Sequence, residues 1–265
     1  MNIYKQELKQ YRNTLIGWCI AYICILALYL SFLPAFLDEG GGMRDYFASL
    51  PPEFMAAFGL DISLFFGPLG FITFVMTMFV LLVGIQAVHM GLSIYGKEQR
   101  NRTSDFLLSK PVKRAKIFWS KFLAGLTALF ISEVVIYSAG YFIIKMVSDA
   151  AFPMNTYLLL LATCTFVQLV FFALGTLLSV LLKRIKNIVG LATGVGMGFF
   201  VIRMIANISN ATTLRWINPY QFFDNMYVVA YNRYESASIL VSLGVFVVLE
   251  AVSLWIYQHM DIHAV

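Results

Sequence analysis

Few residues in this chain have the type and spacing that chemistry requires, and none of the enzymatic patterns is complete. Gly91-Leu-Ser-Ile-Tyr-Gly-Lys97-Glu98 comes close to a phosphate-binding loop. Such a loop needs Ser or Thr after the lysine to ligate magnesium, and a β-strand before it; here Glu98 takes that place and an apolar run precedes it. Ser93 with His259 or His263 as base would suggest an intramembrane hydrolase, but Ser93 falls at the end of that apolar run and nothing places a histidine beside it. There is no His-Glu-x-x-His helix and no pair of intramembrane aspartates. Cys19, Cys24 and Cys164 lie inside apolar runs without metal-site spacing, so they read as buried apolar residues. The sequence predicts a chain that is not an enzyme, holds no metal and binds no cofactor itself.

The remaining chemistry is ionic. Glu133 lies near the middle of an apolar run and Glu250 nearer the end of another. A charge there costs about 3 kcal/mol on insertion scales and is kept where it faces a cavity or a partner. Glu133 therefore reads as lining a translocation path or taking a proton, or else as a neutral acid bonded to a neighbouring helix. Glu250 can snorkel or pair with His89, and Gln168 reads as a hydrogen-bonding link between helices. The densest charge is elsewhere: with the adjoining Lys97, the segment Glu98–Lys121 holds eight of the 19 Lys and Arg, in a chain with only 12% charged residues.

The elements that must position these groups cross a membrane. A composition 60% hydrophobic and 16% aromatic, with mean hydropathy +0.78, exceeds what a water-soluble core uses. Six apolar segments can each span a hydrocarbon layer about 30 Å thick as helices: Thr14–Leu33, Leu69–Leu92, Phe122–Ile144, Tyr157–Leu182, Ile188–Ala206 and Ile239–Tyr257. They make 1–265 a single all-α integral membrane domain. The first is long enough to span and has no small-residue cleavage site after it, so no cleaved leader is expected. With six spans, the termini and the second and fourth loops share one side. That side holds fourteen Lys and Arg against five (Arg44, Lys145, Arg203, Arg215 and Arg233) on the other, which places both termini in the cytoplasm. The net charge of +5 then follows from topology, and nucleic acid is not an expected partner.

On the outer side, Glu53–Phe58 is expected as a short interfacial helix after Pro51-Pro52. The aromatic stretch Trp216–Asp224 is expected to rest on the interface or dip back toward it. Gly190, Gly194 and Gly198 form two small-xxx-small steps that let another helix approach closely, in this chain or in a second copy.

In the basic segment, Thr103 or Ser104 can cap a short helix with Asp105 in its first turn. Phe106, Leu107 and Leu108 supply an apolar face, Pro111 ends the helix, and the chain re-enters the membrane at Ile117, Phe118 and Trp119. From the residues alone, this is either a handle for a soluble motor or an interfacial helix held on anionic lipid.

The segment resembles the coupling region of type-2 ATP-binding-cassette (ABC) exporter permeases. Glu98, Thr103, Asp105, Leu107, Leu108, Pro111, Val112, Arg114 and Lys121 occupy the family's places. Leu50–Gly59 and Ile217–Asp224 resemble the family's outer loops, so the resemblance covers most of the chain. Two departures stand out: Arg102 replaces the usual Gly before the threonine, and Lys113 replaces a Ser that would cap the following helix.

The resemblance implies a permease subunit of an ATP-driven exporter in a bacterial plasma membrane. Its coupling region, about 98–121, would dock on a separate cytoplasmic ATPase. Two ATPase chains, carrying ATP and magnesium, would serve two permease chains, identical or homologous. The alternative is a membrane anchor or lipid-binding scaffold.

Overall fold

The computed structural model describes residues 3–37, 49–59, 68–101, 113–148, 152–182, 185–209 and 211–259. Among them there is no strand, and six helices are long and apolar enough to cross a membrane. They are α1 (Ile3–Ser31), α4 (Pro68–Asn101), α5 (Arg114–Val147), α6 (Met154–Leu181), α7 (Ile188–Ile208) and α9 (Ser236–His259). Shorter helices α2 (Leu33–Leu37), α3 (Pro52–Ala57) and α8 (Asn225–Tyr231) lie at the ends of spans, with two 3₁₀ turns at Thr212–Trp216 and Pro219–Gln221.

Each expected span is present, and three extend well beyond the apolar run. α1 begins at Ile3, α4 continues to Asn101, and α5 begins at Arg114. Lys, Glu, Gln and Arg are good helix formers, and no Gly or Pro stands between Lys97 and Asn101 or between Arg114 and Phe122. The helices therefore outlast the hydrocarbon. Within the expected coupling region, Glu98–Asn101 and Arg114–Lys121 belong to the long helices α4 and α5. α5 starts without a side-chain cap: Lys113 at its N-cap makes no side-chain hydrogen bond, and its carbonyl accepts from the amides of Lys116 and Ile117.

α4 and α6 form the centre of the bundle and cross through glycines. A Cβ on Gly91 would stand 2.6 Å from the Phe172 carbonyl oxygen, and one on Gly175 would stand 2.5 Å from that of Val88. With no side chain at either place, backbone meets backbone. Gly91, whose surroundings in sequence suggested phosphate binding, is thus a packing residue. Gly125 and Gly140 of α5 instead make room for side chains of α6, the Phe172 ring and the Tyr157 hydroxyl. α1 lies along α5, α7 against α4, and α9 against α6.

The stretch after α7 dips into the bundle. Tyr220 is 3% exposed, its ring 4.5 Å from that of Phe171, and a Cβ on Gly84, midway along the second span, would collide with its hydroxyl. Backbone at that depth must be satisfied by protein. Asn218 donates to the Phe199 carbonyl at 2.7 Å, accepts from the Tyr220 amide at 3.1 Å, and is itself buried. α3 forms where Pro52 occupies the first turn, where a missing N–H costs nothing. Phe54 and Phe58 touch edge to face, and the helix packs on α7 through Asn207, which donates to Ala57 O at 3.1 Å.

Replacing Gly175 with Leu should lower stability by about 2–3 kcal/mol, since a rigid backbone faces the new side chain. Gly244→Leu, where a Cβ meets open space, should leave melting in detergent unchanged. Equal melting of the two variants would contradict the crossing.

Candidate coupling site and buried carboxylates

The two helices that flank the basic segment are tied together by one carboxylate. Glu7, on the polar first turns of α1, is 4% exposed. Its Oε2 accepts from Lys97 Nζ at 2.5 Å, and its Oε1 lies 3.8 Å from Lys121 Nζ. Lys121 has no exposed surface; it donates to the Ile94 carbonyl at 2.7 Å and sits 5.7 Å from the centre of the Tyr95 ring. Lys97 also donates to Gln10 Oε1, and Tyr95 donates from its hydroxyl to the Phe118 carbonyl at 3.2 Å. A buried ammonium is tolerable only with a counter-charge and hydrogen bonds, and Glu7, Ile94 and Tyr95 supply them. Arg114, at the first turn of α5, donates to the Gln258 carbonyl at 3.0 Å, where a cation suits the end of α9.

Of the residues expected in the coupling region, Lys121 is therefore an internal anchor that presents nothing to the surface, and Arg114 joins α5 to α9. Glu98 lies in the last turn of α4; its side chain, and the whole of Thr103, Asp105, Phe106, Leu107, Leu108 and Pro111, lie outside the described residues. Glu7 was not singled out by the sequence, because its partners stand about 90 and 114 residues away. Only a lone acid among Lys5 and Lys9 marked it.

Glu133 borders a cavity of about 680 Å³ between α5 and α6, walled by Leu129, Phe130, Tyr137, Leu158 and Leu169. The side chain is buried, and neither carboxyl oxygen makes a hydrogen bond of ordinary geometry to a described residue, although the Thr165 hydroxyl stands close enough to interact. Gln168 shares the cavity and connects three spans: it donates to Gln86 Oε1 at 3.4 Å, and Gln86 donates to Ser132 Oγ at 3.3 Å. The expected role of Gln168 as a link between helices is the one it has.

Glu250 differs from both of its expected arrangements. It is buried, so it does not snorkel, and both oxygens lack a hydrogen-bond partner among the described residues, with Thr176 of α6 nearby. His89 instead meets the Tyr11 hydroxyl at 3.3 Å and Ser93 Oγ at 3.5 Å. Glu133 and Glu250 thus occupy separate places along α6, one against α5 and the other against α9.

Among the described residues, no helix packs against the glycine ridge of α7. A Cβ on Gly194 or Gly198 would meet nothing within 4 Å, and one on Gly190 would meet only its own cap, Asn187. The α7–α4 contact runs through Gly196 instead, where a Cβ would stand 2.5 Å from Ile85.

A family model described as ABC-2 family transporter protein matches residues 1–262. No curated protein matches the chain.

Removing Glu7 should take a carboxylate counter-charge away from the buried Lys121. Glu7→Ala is expected to cost about 3 kcal/mol, as for other broken buried pairs, read as a fall in melting temperature in detergent. Pairing Glu7→Leu with Lys121→Met should restore much of it. Equal losses in the single and double variants would show that the pair is not coupled.

Proposed function

The chain belongs to the ABC-2 family of transporter proteins, and from that premise we propose that it is the membrane-spanning permease subunit of an ATP-driven exporter. Both termini and the 98–121 segment face the cytoplasm, where that segment docks on a separate ATPase. The observation that carries this reading is the Glu7 clamp. It fixes the ends of α4 and α5 to each other and to α1, so a push on the chain between them passes into three spans at once.

In this reading Phe106, Leu107 and Leu108 enter a cleft on the ATPase, with Thr103, Asp105 and Pro111 shaping the short helix that carries them. Two ATPase chains bind ATP with magnesium; this chain does no hydrolysis. Closure of the pair on ATP moves the two coupling segments, and the spans rearrange to open the far side, an alternating-access cycle driven from outside the membrane. The uncovered glycine ridge Gly190, Gly194 and Gly198 receives a second permease chain, identical or homologous. The cavity beside Glu133 belongs to the translocation path. Glu250 supports the α6–α9 face of that path. The membrane is the bacterial plasma membrane.

Copurification tests the reading. The chain should carry a soluble ATPase through affinity purification, and Phe106→Asp with Leu107→Asp should abolish that recruitment while membrane insertion persists. Normal recruitment by the double variant would contradict the docking assignment. For the path, Glu133→Gln should reduce transport severalfold with ATPase recruitment intact; unchanged transport across pH would remove Glu133 from it.

A further inference from the structure

On the face opposite the clamp, a polar pit of about 470 Å³ opens between α4, α7 and the turn that follows α7. Its floor holds Arg203, one turn beyond Phe199 on α7. Arg203 is 8% exposed, and its Nη2 donates to Thr77 Oγ1 at 3.3 Å. Its Nε has no partner, and no carboxylate lies within ion-pairing distance of it among the described residues. A guanidinium stays charged at any physiological pH, so it cannot escape the cost of burial by losing a proton.

Among the described residues no carboxylate pairs directly with Arg203, and Asp224 acts on it only at longer range. Asp224 lies in the same pit, but its Oδ1 accepts from the amides of Met226 at 2.9 Å and Tyr227 at 3.3 Å, capping α8. Arg215, also in the lining, is already paired with Glu235, and its Nε too is buried without a partner. The Asn207 and Gln221 side chains hold the pit's shape: Gln221 donates to Asn207 Oδ1 at 2.9 Å, and Asn207 donates to α3. Phe223 and Met226 add apolar wall next to the charge. A permanent cation at the base of an open pit, with apolar surface beside it, is complementary to an oxyanionic head attached to an apolar body.

We propose that this pit binds the phosphate-type oxyanion of an anionic ligand, with Arg203 as the residue that receives it. The inference does not depend on ATPase coupling and stands or falls separately from it. Two sources share this chemistry, a lipid headgroup and a free anion in solution, and the test separates them.

The purified chain is titrated in neutral detergent with phosphatidylglycerol, phosphatidylcholine and inorganic phosphate. Bound lipid is counted by native mass spectrometry, and protection is followed by thermal melting. Phosphatidylglycerol should bind about tenfold more tightly than phosphatidylcholine, the equivalent of one charge-assisted hydrogen bond. Arg203→Gln should abolish that preference, while Arg203→Lys keeps part of it. Protection by inorganic phosphate equal to that by phosphatidylglycerol, and lost in Arg203→Gln, would assign the site to a free anion and uphold the proposal. If Arg203→Gln does not fold, Arg203→Lys and Phe223→Ala decide: both should weaken phosphatidylglycerol binding severalfold. Absence of any anion preference in the native chain, or an undiminished preference in these variants, overturns the proposal.

Discussion

A single carboxylate between two lysines organises the basic face of this protein. Lys121 is fully enclosed, and an enclosed ammonium demands a negative partner. Glu7 meets that demand and also holds Lys97, so the start of the chain, the end of the second span and the start of the third converge on one point. The clamp explains why α1 begins as a helix at Ile3, before its apolar run. The polar turns are needed to carry Glu7 and Gln10 to the lysines.

From that point the bundle divides into a tight centre and a looser rim. α4 and α6 touch backbone to backbone through Gly91 and Gly175, and Tyr220 wedges against Gly84, about two turns earlier on the same side of α4. α1, α7 and α9 leave many large apolar side chains uncovered, among them Ile20, Val189, Val201, Leu240 and Val247. Lipid covers such surface at no cost, and so does another apolar helix. A clamped, close-packed centre with a compliant rim suits the proposed coupling, in which motion is imposed at one face and expressed at the other. The buried carboxylates Glu133 of α5 and Glu250 of α9 approach α6 at different heights, near Thr165 and Thr176, where a rearrangement of α5 or α9 would be felt first.

Much of this architecture could be read directly from the chain. Six apolar runs became six helices, and the break at Pro51-Pro52 became α3. The density of aromatics in Trp216–Asp224 marked a segment that enters the bundle. Charge density marked the segment between α4 and α5. What escaped was long-range pairing and extent. Nothing local announces that Glu7 faces Lys121. Hydropathy ends the second span near Leu92, whereas helix propensity carries it to Asn101. The regular spacing of Gly190, Gly194 and Gly198 pointed to packing, yet Gly196, outside that pattern, makes the contact with α4. Gly91 looked like part of a nucleotide motif because sequence cannot tell a glycine that admits phosphate from one that admits a neighbouring helix. Arg203 was counted only for its charge, and its burial depends on a turn that returns from beyond the end of α7.

The central claim is that the clamp moves as one body when the basic segment is pushed. Spin labels at Lys9 on α1 and Lys116 on α5, in the chain assembled with the proposed ATPase partner, report on it through their distance distribution with and without bound ATP. A single narrow distance, unchanged by nucleotide while a label pair on α7 and α9 shifts, is the predicted result. A Lys9–Lys116 distance that broadens or moves on ATP binding would mean that the force is dissipated at the clamp, and the account would be wrong.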